Sequence, residues 1–525
     1  MNYEPMKKAT YTSLLALCLG LFLLASRPVM SQEKLSDKLP VDPAVKIGKL
    51  SNGLTYYIRQ NHKPENKLEL RLVVNAGSIL EDDEQQGLAH FTEHMAFNGS
   101  SHFQKNDIVS FLQSIGVEFG ADLNAYTSFD ETVYILPIPT EKKENVEKGF
   151  QILEDWASTV AFNPDEINKE RGVVLEEERS GRGAEERMFR ITYPKMLEGS
   201  KYADRLPIGK VEILKSFKPE AIKRFYKDWY RPDLMAVVVV GDIAPAEAER
   251  LIKEHFSGLK NPPDSKPRPL AEVPARTKSE GLVVTDKEAT HHLIDINYPY
   301  KPVKDQTTLG AYREYLMRSL FTSMLSQRMQ ELMQKENPPF LYAANTFSGL
   351  ARGYENYNAY AYLGKGGVKP AVQALVMENE RARKYGFTAA ELERTKKMMM
   401  KSIERAYNER DKTESARLVG EYIRNFLEHE PIPGIENEYH YYQRFLDEIT
   451  LDEINAYTAK TIPPSDEPKL VILTGPEKAD FKLPTNAELL AMVQQASAQE
   501  VTPYEEKAVA STLMETPPTA GKVVA

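Results

Sequence analysis

Only one cysteine, Cys18, occurs in 525 residues. It lies inside an N-terminal apolar stretch, so a chain that has lost that stretch carries no thiol, which suits an oxidising compartment. An excess of positive charge is missing as well. Lys and Arg number 67 against 76 Asp and Glu, for a formal charge of −9. That balance argues against a nucleic-acid binder, because phosphate recognition draws on a basic surface. Long hydrophobic runs are absent too. Mean hydropathy is −0.47, and the apolar run from Leu14 to Ala25 falls short of the ~20 residues that span a bilayer. A polytopic membrane protein is excluded. With 42 % hydrophobic and 27 % charged residues, so are collagen-like, low-complexity and wholly disordered chains. At this length two or three domains are expected.

The apolar run has Lys7 and Lys8 before it and Ser26-Arg27-Pro28 after it, the pattern of a secretory signal peptide. Val29 and Ser31 are small enough for the −3 and −1 positions, which places cleavage after Ser31 and makes 1–31 the leader. Leu17, before Cys18, is too large for a lipoprotein signal. Export is expected, to the periplasm first and outside the cell as the alternative, with no membrane span after cleavage.

Residues 261–279 carry five prolines and no apolar periodicity, which reads as a semi-extended linker because each Pro fixes φ. The flanking segments share an outline. Each begins with a Gly-Leu step into alternating strand-like residues, and each ends with a helix and a buried strand, MAVVVVGD at 235–242 and KLVILTGP at 469–476. Gly53 to Gly281 is 228 residues and Phe225 to Tyr457 is 232, so a duplicated domain is expected. Helices mix with hairpin-like strands in both halves. The expected fold is α+β, with two homologous domains at 40–260 and 280–485, each a mostly antiparallel sheet with helices packed on one face. A helix near 487–498 and a tail complete residues 486–525. The paired His291-His292 in an apolar strand should point to opposite faces. The 311–334 helix carries an apolar stripe suited to a core.

The decisive stretch is GLAHFTEHMAFNGS, 87–100. On a helix His90 and His94 are rotated by only about 40° and stand one turn apart, so both imidazoles can reach one metal ion. Glu93 sits beside the second of them, where its carboxylate can approach a metal-bound water without ligating the metal. Asn98-Gly99 supplies a left-handed stop. H-x-x-E-H is the inverted zinc-peptidase signature. Two imidazoles on a tetrahedral zinc ion need a third protein ligand and leave one position for water, whose pKa falls toward ~7. Glu93 would then be the general base.

The best source of the third ligand is FNPDEINKERGVVLEEERS, 162–180. Asn163 caps this helix, Pro164 occupies its first turn, and Glu166 completes a capping-box-like arrangement. Glu170 and Glu177 are seven apart and fall within about 20° of each other around the helix, whereas Glu176 and Glu178 point elsewhere. That favours Glu177 as ligand and Glu170 as the group orienting a histidine from outside. Spacing alone leaves the other glutamates of the run open.

His90-x-x-Glu93-His94 followed by Glu170 and Glu177 resembles the pitrilysin/insulysin family of zinc metallopeptidases. NAYTSFDETVY (124–134) and FYKDWYRPDLMAVVVVGD (225–242) resemble blocks of that family's first domain. The resemblance extends over the exported chain and comes nearest to the long periplasmic branch, whose members carry four such domains. It implies one Zn2+ per chain held by His90, His94 and Glu177, 83 residues after His94. It implies a substrate that pairs with an edge strand at Asn124, Ala125 and Tyr126. It also implies half of a clamshell that closes on a short or unfolded polypeptide. The family's other half supplies an Arg and a Tyr seven residues apart. Here Tyr342 matches, but Met333 stands where the Arg would be, and Arg328 is too early in the pattern. A separate or missing second half is therefore the expected partner. The alternative is a non-catalytic or partner-dependent subunit that binds peptide.

Overall fold

The computed structural model describes residues 33–118, 120, 124–477 and 481–506. The leader, its cleavage site and Cys18 lie outside the described residues, as does the chain from 507 on. The fold is α+β, built on two sheets. The first contains β1 (Lys46–Lys49), β2 (Thr55–Gln60), β3 (Lys67–Val74), β4 (Asn124–Thr127), β5 (Thr132–Pro139) and β6 (Met235–Gly241), in the order β1-β2-β6-β3-β5-β4. The second contains β7 (Glu280–Asp286), β8 (Leu293–Asn297), β10 (Phe340–Ser348), β11 (Tyr354–Leu363) and β12 (Leu470–Pro476), in the order β10-β11-β8-β12-β7, with the short β9 (Lys301–Pro302) pairing off that path with β11.

Leaving β1 aside, the two orders are the same path read from opposite ends. In each sheet the first strand of the repeat pairs in parallel with the last, β2 with β6 and β7 with β12, and the remaining pairs are antiparallel. Register corrects one detail of the sequence repeat. Gly241 pairs with Gln60 and Gly475 with Thr285, so the first strands are offset by 225 residues. Gly53 precedes β2, whereas Gly281 lies inside β7 opposite Val471; they are not equivalent.

Each sheet buries one face under helices inserted between its own strands. The first core gathers Leu68, Leu70, Leu72, Leu136 and Val237 with Phe91, Phe150, Trp156 and Phe225. The second gathers Ile294, Ile296, Ala361 and Leu473 with Leu316, Phe321, Met324 and Phe445. Alternation along the strands leaves a second apolar face on the first sheet, Tyr57, Val73, Val133, Ala236, Val238 and Val240, which needs a cover. The cover comes from beyond the linker. The Ser415–Glu428 helix lays Leu418, Val419, Tyr422 and Leu427 on that face, with Tyr422 stacked on Tyr57 at 5.7 Å. In return the Ala184–Met196 helix packs on β7 and β12, and its Arg187 pairs with Asp286 at 2.7 Å. The two halves of the repeat thus lend each other a helix. Residues 261–279 between them form neither helix nor strand, yet Arg268 pins that segment to Asp130 at 2.8 Å.

Other sequence expectations shift by small amounts. His291 and His292 stand just before β8, not in it, with His291 exposed and His292 buried against the Pro476 carbonyl. The long helix runs Leu309–Met333 and its stripe is core, as are Leu316, Leu320 and Met324. Among the described residues no helix is long and apolar enough to cross a membrane.

Candidate metal centre

The helix bearing the HxxEH motif runs Leu88–Met95. Its apolar side, Leu88, Ala89, Phe91 and Met95, is buried in the first core, which fixes the opposite side toward the carboxylates. The chain enters through Gly87 at φ +100. There Gly87 meets Gly209 backbone to backbone, and a Cβ on Gly209 would lie 2.3 Å from the Gly87 Cα. A buried carboxylate caps the same end: Glu81 accepts the N–H of Gly87 at 3.0 Å and of Ala89 at 2.8 Å. Burial raises Glu81 to about 8, against the pull of those N–H groups and of Arg205 and Lys201. At the other end Gly99 takes φ +120.

The second helix, Pro164–Gly181, begins with Asn163 accepting the N–H of Asp165. The capping box does not close, because Glu166 is engaged by Lys105 and Lys169 instead. Of the glutamate run, Glu176 pairs with Arg179 and Glu178 with Arg182 and Arg190. Glu177 turns to the imidazoles: its Oε1 lies 3.6 Å from His90 Nε2 and its Oε2 lies 3.3 Å from His94 Nε2. The two Nε2 atoms are 3.2 Å apart. Ligands at zinc-type bond lengths on a tetrahedron stand about 3.3 Å from one another, so these three atoms fit the donor set of one small divalent ion. They are also a group of His and Glu side chains with ligand atoms close enough to hold one.

Glu170 lies outside that group. Its Oε1 is 2.8 Å from His94 Nδ1, and its Oε2 accepts from the Asn98 amide at 2.8 Å. This leaves Nε2 of His94 as the nitrogen aimed at Glu177. His90 Nδ1 is buried with no hydrogen-bond partner among the described residues. Electrostatics separate the two imidazoles. Burial and the neighbouring His94 lower His90 to about 4. Burial also pushes His94 down, but hydrogen bonds to Glu170 and Glu177 outweigh it and raise His94 to about 9. Glu93 is 8 % exposed, and its burial raises its carboxyl above the usual range. Glu93 does not join the group of three; its Oε2 accepts the Thr127 hydroxyl at 2.7 Å.

Asn124, Ala125 and Tyr126 lie on β4, the last strand of the first sheet, which among the described residues pairs with β5 alone. Asn124 and Tyr126 are exposed and Ala125 is half-buried. Tyr134, on β5, is core. In the second sheet Tyr342 is exposed on the terminal strand β10, and Met333 ends the long helix. Arg328 is buried in ion pairs with Glu391 at 2.6 Å and Glu378 at 3.4 Å, so it is committed to the core. Glu81, Asn98 as partner of Glu170, and Thr127 escape a sequence reading. Glu81 is one of six consecutive polar residues, 81–86, and Asn98 and Thr127 follow no period, so nothing local singles them out.

Residues 56–190 match the family described as insulinase (peptidase family M16), and residues 216–399 match the peptidase M16 inactive domain. A zinc protease PQQL-like protein of Arabidopsis thaliana is 36 % identical over 79 % of this chain and 40 % of its own length. The probable zinc protease PqqL of Escherichia coli is 30 % identical over 83 % of this chain and 47 % of its own length. This chain therefore spans less than half the length of these relatives. The crystal structure of the first half of the E. coli periplasmic protease PqqL superimposes with a TM-score of 0.82 at 27 % identity, covering 90 % of this chain and 100 % of that one. Pitrilysin shares the fold, with a TM-score of 0.67 over 50 % of its length. Its two α+β repeats and the sequence matches to both kinds of domain make this chain a member of the insulinase family of peptidases, family M16, with the architecture of one clamshell half.

Proposed function

We propose that the chain is the zinc-bearing half of a periplasmic metallopeptidase that hydrolyses short or unfolded polypeptides. The observation that carries this reading is the convergence of His90 Nε2, His94 Nε2 and a Glu177 carboxylate oxygen at 3.2 to 3.6 Å, with Glu93 beside them and outside the set. We take 40–260 as the catalytic domain, 261–279 as the linker, 280–485 as the non-catalytic repeat and 486–525 as helix and tail. His90, His94 and Glu177 would hold one Zn2+, which when bound supplies a Lewis acid and lowers the pKa of water. Glu170 would orient His94 through Nδ1. Glu93, desolvated and short of charged partners, would take the proton of the attacking water and hand it to the departing amine. β4 offers an edge with one ladder unpaired among the described residues, so an extended peptide would add there as a further strand. Backbone pairing of this kind asks little of the peptide's sequence, and Asn124, Ala125 and Tyr126 would line it.

A second reading, a partner-dependent subunit, is favoured by one observation: Arg328 is locked in the core and Met333 offers no charge, so neither supplies the missing Arg. Under both readings a second half completes the enzyme. Metal analysis together with a quenched-peptide assay on wild type and Glu93→Gln separates them. Zinc at one per chain, with cleavage abolished by Glu93→Gln, supports the peptidase. Zinc bound with no cleavage of any peptide by the chain alone, and turnover recovered once a C-terminal half is added, supports the partner-dependent subunit.

A further inference from the structure

The strand that offers its edge to a peptide also holds the general base. We infer that Thr127 is a positioning residue whose hydroxyl fixes the Glu93 carboxylate. This inference rests on the peptidase reading for its kinetics but not for its geometry. Thr127 is the last residue of β4 and pairs with Thr132 of β5. Alternation directs Asn124 and Tyr126 to one side of the sheet and Ala125 and Thr127 to the other, where the motif helix lies. The Thr127 hydroxyl meets Glu93 Oε2 at 2.7 Å, across 34 residues of sequence. A carboxylate only accepts, so the hydroxyl proton belongs to Glu93.

The nearby hydroxyls make their hydrogen bonds of 3.0 Å or less to groups other than Glu93. Thr132 donates to the Ala76 carbonyl at 3.0 Å and lies 3.5 Å from the Thr127 hydroxyl. Tyr134 and Tyr230 bond each other at 2.9 Å. Thr127 is therefore the hydroxyl that gives Glu93 a hydrogen bond among the described residues. One oxygen of the carboxylate, Oε2, is held in this way. A hydrogen bond to a buried charged group sets a side chain's orientation strongly. Without it Glu93 keeps its place on the helix but loses its fixed χ angles. Since Thr127 is placed by the β4 ladder, a peptide added to β4 loads the strand that sets the base, and seating of substrate and aim of the base become linked.

The test uses the full chain loaded with Zn2+ as wild type, Thr127→Val and Thr127→Ser, read by crystal structure and by quenched-peptide kinetics with the C-terminal half present. Valine keeps the shape and removes the donor. The expected result is that Thr127→Val retains its zinc, turns the Glu93 carboxylate out of its wild-type position, and lowers kcat about 10- to 100-fold with KM within about twofold. Thr127→Ser should restore the carboxylate position and most of kcat. If Thr127→Val fails to fold, Thr127→Ala gives the same reading. A Glu93 carboxylate unmoved in the valine variant overturns the inference. So does a serine variant as displaced as valine. Should wild type cleave nothing, the peptidase reading falls, and the carboxylate position still decides this one.

Discussion

Of the three donors, His94 depends on a side chain that is itself held. Glu170 anchors His94 Nδ1 and is anchored by Asn98. Glu170→Gln should weaken Zn2+ affinity about 10- to 100-fold, measured by chelator competition, while Glu177→Gln should cost more because a ligand is lost outright. The split between the imidazoles gives a pH dependence. His94, raised to about 9, is protonated in the metal-free protein at pH 7, whereas His90, lowered to about 4, is neutral. A ligating imidazole must be neutral, so metal binding expels the His94 proton. Affinity should rise with pH between about 4 and 9 as that proton is lost. Calorimetry at pH 7 in buffers of different ionisation enthalpy should report net proton release, about one proton from His94 and a further fraction from the zinc-bound water. The histidines were legible in the sequence because they recur with the helical period. Glu177 was only half legible: seven residues from Glu170 places it on the right stripe, but of the cations that take its neighbours, Arg179 and Arg182 stand at i+3 and i+4 in the sequence while Arg190 is brought in from the next helix by the fold. Thr127 was invisible as a partner of Glu93, since the contact joins strand to helix across 34 residues.

Among elements, the motif helix is short, eight residues, too short to be stable alone. Its core side and the Glu81 cap hold it. Glu81 is raised to about 8 in the fold from 4.5. Between those values the folded chain keeps a proton that the unfolded chain releases. Its contribution is thus fully present below about pH 4.5 and is lost as pH rises through about 8. Urea unfolding of wild type and Glu81→Gln should show the wild-type midpoint falling relative to the variant between pH 5 and 8.5. A constant difference would remove Glu81 as the titrating group. Existence and type of the helices at 164–181, 219–229 and 451–461 could be read from caps, prolines and periodicity. Register could not, because Gly53 and Gly281 both precede a leucine while only one lies in a strand. The His291-His292 pair marks a strand entry for the same reason: apolar alternation fixes a strand's existence better than its first residue.

At the scale of the whole molecule, the exchanged helices make the two repeats one framework. Tyr422 is 1 % exposed against the first sheet, so Tyr422→Ala should destabilise the first repeat by about 3–5 kcal/mol, although it lies in the other repeat. A lowered melting temperature shared by probes in both repeats checks it; loss confined to the second repeat would contradict it. Duplication was legible as matching outlines on either side of the proline-rich segment. The helix exchange was not, since an amphipathic helix announces a buried face and never says whose sheet receives it. The central claim is that one divalent ion sits between two residues of one helix and one of another. Zinc-edge absorption spectroscopy on the purified full chain, with its anomalous-scattering crystal structure, tests it most directly. The account predicts one zinc per chain at 2.0–2.2 Å from His90 Nε2, His94 Nε2 and a Glu177 carboxylate oxygen. A zinc ion bound elsewhere, or bound here with Glu177 turned away and no other oxygen of the chain in its place, would contradict it.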